Sequence, residues 1–203
     1  KTASLGQKEP SSSSKSKPLF VSKVVNAQTP GQSIDIAAGV KNLKELHLYV
    51  SDAGNGYTCD WAGWVNPRLV DASGKETKLT SLVWKHASSG WGQVNLNKNA
   101  QGGLMRVAGK EVQGIGCHAN SLISYQLPAN HKFTRFLARG TLDDGGARQG
   151  SGNQSSIQFY IYAEKPKILG GVRVSSGSKG SGKRIGDQGD PSHAVDNLVV
   201  HDE

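Results

Sequence analysis

The feature that most constrains this chain is period-two alternation in short runs that glycine and proline keep cutting off. Over residues 154–163 the side chains of Ile157, Phe159 and Ile161 fall on one face of an extended segment, and Gln158, Tyr160 and Tyr162 fall on the other. That is the pattern of a strand with one face in a core. The same spacing recurs at Leu46, Leu48 and Val50, at Ile123, Tyr125 and Leu127 ahead of Pro128, and at Phe136, Ala138, Gly140 and Leu142. Shorter extended segments are expected around residues 34–36, 67–70 and 79–84. Val40, Leu43 and Val50 would also share a helix face, but residues 45–50 are few and rich in strand formers, so the strand reading wins. Eight or so short strands, with 26 glycines among 203 residues to turn between them, predict an all-β single domain of β-sandwich or jelly-roll type.

The two ends read differently. Residues 1–18 include SSSSKSKP and almost no large apolar side chain. Ordering such a segment costs chain entropy that no burial offsets, so it reads as a disordered linker. Residues 19–164 form the domain, and residues 165–203, again rich in glycine and serine, read as a linker leading into a further domain. The chain starts at Lys1 without a methionine, which fits a removed signal peptide or a fragment equally well. Its formal charge is +8, but Lys1, Lys8, Lys15 and Lys17 sit in the opening segment and the other basic residues are spaced singly. Nucleic-acid binders concentrate theirs in one stripe with aromatics between, so no nucleic-acid partner is expected. With no run of 18 apolar residues, no membrane span is expected either.

Several motifs carry possible chemistry, each beside a structural alternative. Residues 51–60, SDAGNGYTCD, place Asp52, Asn55 and Asp60 in a glycine-bent loop directly after a strand. Such a loop converges oxygens on a hard cation such as Ca2+, and the same residue types are what tight turns use. All four tryptophans lie in the DWAGW segment and at Trp84 and Trp91. An indole face stacks on the apolar face of a sugar ring while nearby polar groups bond its hydroxyls, yet two or three of the four are expected to be packing residues. Cys117 and His118 adjoin, and strand neighbours point to opposite faces, so they do not form the bonded pair a cysteine hydrolase needs. The adjacent Asp143 and Asp144 lack the cleft-spanning separation of a glycosidase pair and read as a turn or a cation-assisted loop. The glycine-rich stretches lack GxxxxGK(S/T), which excludes a phosphate-binding loop. Cys59 and Cys117 form no metal-type CxxC pair, leaving one disulfide or two buried thiols.

Taken together, KELHLYVSDAGNGYTCDWAGWVNPRLV, SSGWGQVNLNKNAQGG, GKEVQGIGCHANSLISYQLP and FTRFLARGTLDDGGARQGSGNQSSIQFYIYAE resemble the NPCBM family, the carbohydrate-binding module appended to family 98 glycoside hydrolases and other large secreted proteins. The most specific pieces are G-x-G-x-H-A-x-S at residues 114–121 and D-A-G-N-G-x-x-x-D-W-A-x-W at residues 52–64. In this chain the second precedes the first, an order that looks circularly permuted. Trp61 stands where members commonly carry the histidine of D-H-A-D-W, and Gly63 replaces the acid. The resemblance implies a calcium-stabilised jelly roll, secreted or periplasmic, that binds galactose-type or related glycans without catalysis of its own and sits beside neighbouring domains of a larger chain. On that basis Trp64, Trp91, His118 and Arg148 are the sugar-site candidates, and Asp52, Asn55, Asp60 and Asp143 the calcium candidates. Residues 191–203 resemble the lead-in to large propeller- and cytochrome-bearing dehydrogenases of Planctomycetes-type bacteria.

Overall fold

In the computed structural model, residues 16–149, 154–167 and 173–175 are described. Of the two segments expected to be linkers, residues 1–15 and most of 165–203, including 191–203, lie outside them. The alternating runs become strands because each has one apolar face to bury. Ser156–Tyr162 alternates half-buried and fully buried residues along its whole length, and Phe133–Leu142 and Ser33–Gly39 show similar alternation over part of theirs.

Fifteen strands are formed among the described residues: β1 (Phe20–Val21), β2 (Val25–Asn26), β3 (Ser33–Gly39), β4 (Glu45–Ser51), β5 (Trp61–Asp71), β6 (Glu76–Lys78), β7 (His86–Ser89), β8 (Asn95–Leu96), β9 (Arg106–Val107), β10 (Lys110–Glu111), β11 (Gly114–His118), β12 (Ser121–Gln126), β13 (Phe133–Leu142), β14 (Ser156–Tyr162) and β15 (Arg173–Ser175). One sheet runs β1-β14-β4-β12-β7-β15, with β2 also on β14; the other runs β3-β13-β5-β11-β8, with β6 on β5. All pairings are antiparallel, and the two sheets pack as a sandwich. Leu46, Leu48 and Val50 of β4, Ile123 and Tyr125 of β12, and Ile157, Phe159 and Ile161 of β14 meet Trp64, Ile115, Phe136 and Ala138 of the other sheet in one core. With β15, the first sheet takes in residues beyond Glu164.

Two segments differ from expectation. Only residues 67–70 read as extended, yet β5 spans eleven residues beginning at Trp61. It lies between β13 and β11, and its first four residues are all buried, so both faces are covered and no alternation shows. Residues 79–84 read as extended too, but Leu79–Ser81 is a single 3-10 turn closed by Leu82 N donating to Leu79 O. The strand starts only at His86.

Candidate functional site

The register brings loops from distant parts of the chain to one end of the sandwich. His118 pairs with Trp61, Leu142 with Ala62, Ser121 with Val50, Leu122 with Ser88, and Gln158 with Ser51. The segments after β4, β7, β11 and β13 therefore emerge together. Gly90 is held against the Ala119–Asn120 backbone so tightly that a Cβ there would overlap the Ala119 carbonyl oxygen and sit 2.6 Å from Asn120 N. That close approach sets the position of the next residue, Trp91.

An aromatic cluster results. The Trp91 ring stacks on Trp61 at 5.4 Å between centroids and 28° between planes, and meets His118 edge-on at 5.7 Å. Tyr57 meets the same imidazole edge-on at 6.0 Å. Trp61 and His118 are buried, Trp91 is partly exposed, and Tyr57 is 46% exposed, so the two buried rings brace the two that reach the surface. His118 N donates to Ser89 Oγ at 2.9 Å. Its Nδ1 lies 2.6 Å from Ala119 O; a carbonyl only accepts, so Nδ1 carries the proton. Asn120 closes the rim: its Oδ1 accepts from Tyr49 Oη at 3.1 Å and from Asp52 N at 3.2 Å.

Beside this rim lies a groove of ≈ 510 Å³ lined by Asn99, Leu104, Arg106, Asp143, Asp144, Gly145, Arg148 and Gln149. Its wall is a one-turn helix, α1 (Asp144–Ala147), which Asp143 caps by accepting from Gly145 N at 2.8 Å. The helix rests on the rim: a Cβ on Gly145 would lie 2.6 Å from Cζ3 of Trp61. The other oxygen of Asp143 accepts from Arg106 N at 2.9 Å, and Asp144 Oδ2 accepts from Gly109 N at 2.8 Å. Both carboxylates thus fasten the β9–β10 hairpin to the sandwich. Burial pushes the Asp143 carboxyl up to about 6, against the lowering effect of those amide hydrogen bonds. Arg148, with a 66% exposed side chain, is held by Asp144 Oδ2 at 3.0 Å.

The sugar-site candidates separate accordingly. Trp91 and His118 come together in the rim, and Arg148 lies in the groove. Trp64 is a correction: it is fully buried, edge-on to Phe159 at 4.9 Å and to Phe136 at 6.2 Å, with no face for a ligand. Trp61 and Trp84 are buried as well, so three of the four tryptophans are packing residues. Tyr57, Asn120, Asn99 and Arg106 were not singled out. Only Tyr57 carried a signal, as the one aromatic inside the glycine-bent loop.

The calcium candidates do not form a cage. Asp52 Oδ1 accepts from Gly54 N, Asn55 bonds Gln154 O and Ser156 Oγ, Asp60 Oδ1 accepts from Ser156 N, and Asp143 is occupied as described. Each has at least one side-chain oxygen directed at a protein donor, and among the described residues no three His, Cys, Asp or Glu side chains converge as metal ligands. These carboxylates do not by themselves supply a calcium shell.

Two arrangements bear on catalysis. Ser124 Oγ lies 2.8 Å from His47 Nδ1, and His47 Nε2 lies 3.1 Å from Glu45 Oε2, the connectivity of a nucleophile, base and acid. Ser124 is only 3% exposed and His47 is buried, so no substrate reaches the hydroxyl, and the chain acts as a link between strands. Cys117 faces the core, where burial pushes its thiol up to about 12. A thiol so protonated is no nucleophile.

Among the described residues no helix is long and apolar enough to cross a membrane. No curated protein and no solved structure gives a significant match to this chain. A family model described as the NPCBM/NEW2 domain matches residues 13–70 and 75–182. That match takes in both sheets, the rim and the groove, and well over half of the chain, which therefore belongs to the NPCBM/NEW2 family of carbohydrate-binding modules.

Proposed function

We propose that this chain is a non-catalytic carbohydrate-binding module that seats a galactose-type or related sugar on the loop rim, against Trp91 and Tyr57. The observation that carries the reading is Trp91. Its indole is partly exposed and fixed in orientation by the Trp61 stack and the His118 edge. A rigid aromatic face costs little entropy to use and matches the apolar face of a pyranose. In this reading Asn120 and Asp52, which bond each other across the rim, and the exposed Tyr57 supply the polar groups for ring hydroxyls. The module works outside the cytoplasm, in a larger chain whose other domains it brings to a polysaccharide.

A second reading places the sugar in the adjacent groove, where the Asp144–Arg148 pair presents an oriented guanidinium beside Asn99 and the exposed Leu104. Calorimetric titration with galactosides, fucosides and sulfated algal polysaccharides, with and without calcium, tests both. The expected dissociation constants are on the order of millimolar to micromolar. Trp91→Ala weakens binding at least about tenfold, a loss of roughly 1.4 kcal/mol, while Arg148→Ala changes it less. The opposite ranking moves the sugar into the groove. Absence of binding to every class leaves a packing module that serves neighbouring domains.

A further inference from the structure

On the outer face of the larger sheet, three tyrosines form a strip that the core does not require. The alternation of β14 sends Ile157, Phe159 and Ile161 inward and leaves Tyr160 and Tyr162 on the outer side. Tyr49 of β4 is the register partner of Tyr160. The Tyr49 and Tyr160 rings lie 5.6 Å apart, and Tyr160 and Tyr162 lie 6.2 Å apart with planes within 13°. All three are partly exposed. Val21, opposite Tyr160 on the edge strand β1, is 45% exposed. A solvent-facing sheet surface normally carries polar side chains, so a run of aromatics there marks a contact surface.

The strip is also continuous with the rim. Tyr49 Oη donates to Asn120 Oδ1 at 3.1 Å, and Asn120 N lies against Gly90, next to Trp91. The rings are dressed with neutral polar groups: Tyr160 Oη donates to Gln158 Oε1 at 2.6 Å, and Gln158 Nε2 donates to Ser22 O at 2.7 Å. The row across the sheet through Val21, Tyr160 and Tyr49 contains no charged side chain, while the next row sets Tyr162 opposite the buried His47, which bonds Glu45. Tyrosine faces with hydroxyls and amides suit a hydroxyl-rich ligand, and the Tyr160–Tyr49 row gives an anionic polymer no cation to pair with.

We propose that the sugar site does not end at the rim but continues over Asn120 onto Tyr49, Tyr160 and Tyr162, so that the ligand is an extended neutral glycan chain rather than one terminal sugar. This rests on the rim reading above and names the ligand class for it. The rim grips one unit, and the strip, with neighbouring ring centroids 5.6 and 6.2 Å apart, supports the following units by stacking.

The test is a length series. Calorimetry on the full chain compares galactose with β-1,4-linked galactobiose, galactotetraose and galactohexaose. Affinity rises at least about tenfold from galactose to the hexaose. Tyr160→Ala/Tyr162→Ala retains galactose binding and loses that gain, and Trp91→Ala weakens every member of the series. Tyr160→Phe keeps the ring and so keeps the gain, and Tyr162→Ala alone reduces it, which preserves the test if the double variant folds poorly. A hexaose that binds no tighter than galactose, or a gain that survives the double substitution, overturns the strip and leaves the rim standing. If neither galactose nor any member of the series binds, the rim reading fails and the strip falls with it.

Discussion

Trp64 lies at the centre of the core with Phe136 and Phe159 edge-on to its ring. Trp64→Ala leaves a cavity that the two flanking sheets cannot close, so it costs roughly 3–5 kcal/mol. Urea unfolding measures the loss, and sugar binding per folded molecule stays unchanged because Trp64 touches no surface. Trp91→Ala has the reverse profile, a small change in stability and a large one in binding. Nothing in DWAGW distinguishes these roles. Trp61 and Trp64 lie on opposite faces of β5, and both are buried because the other sheet covers Trp64 through Phe159 while α1 and Trp91 cover Trp61. Which indole keeps an exposed face is decided by residues far along the chain, which local spacing does not encode.

At the scale of the element, the Asp143–Asp144 pair was legible as a turn but not as a fastener. Asp followed by Asp-Gly-Gly suits a helix start, because the first side chain accepts from an amide two residues on. That the same carboxylates reach Arg106 N and Gly109 N depends on where the β9–β10 hairpin folds back. The arrangement has a consequence for pH. With the Asp143 carboxyl raised to about 6 by burial, the fold favours its neutral form and takes up a proton between the ordinary value of 3.8 and about 6. The contribution of this group to stability is therefore greatest below about pH 4, falls as pH rises toward 6, and is flat above. By linkage the fall is on the order of 2–3 kcal/mol. Denaturant unfolding of wild type and Asp143→Asn between pH 4 and 8 reads it as the difference between two curves. A difference that stays constant across that range refutes the assignment.

At the scale of the whole molecule, the fold class followed from alternation alone in β4, β12, β13 and β14, while the site depended on assembly. Tyr57, Trp91, His118 and Asn120 come from three segments, following β4, β7 and β11, that meet only because β11 pairs with β5 and β12 pairs with β4 and β7 across long sequence separations. The cysteines illustrate the same point, since residue type and spacing left a disulfide and two free thiols equally open. Assembly buries Cys59 against Gln149, whose Oε1 accepts from its Sγ at 3.1 Å, and buries Cys117 within the core, so neither is part of a disulfide. A disulfide would contribute about 2–5 kcal/mol that reductant removes; two thiols inside a cooperative sandwich contribute none. The unfolding midpoint is therefore expected to be the same with and without dithiothreitol. An aromatic disulfide reagent should modify neither cysteine in the native protein, because the thiolate is the reactive form and neither sulfur is accessible. Labelling should appear only as the chain unfolds, at two thiols per chain, and its rate against denaturant should track global unfolding. Fast labelling of Cys59 under native conditions would mean that the loop carrying Tyr57 opens without the rest of the sandwich, and that the rim is assembled only when ligand is bound.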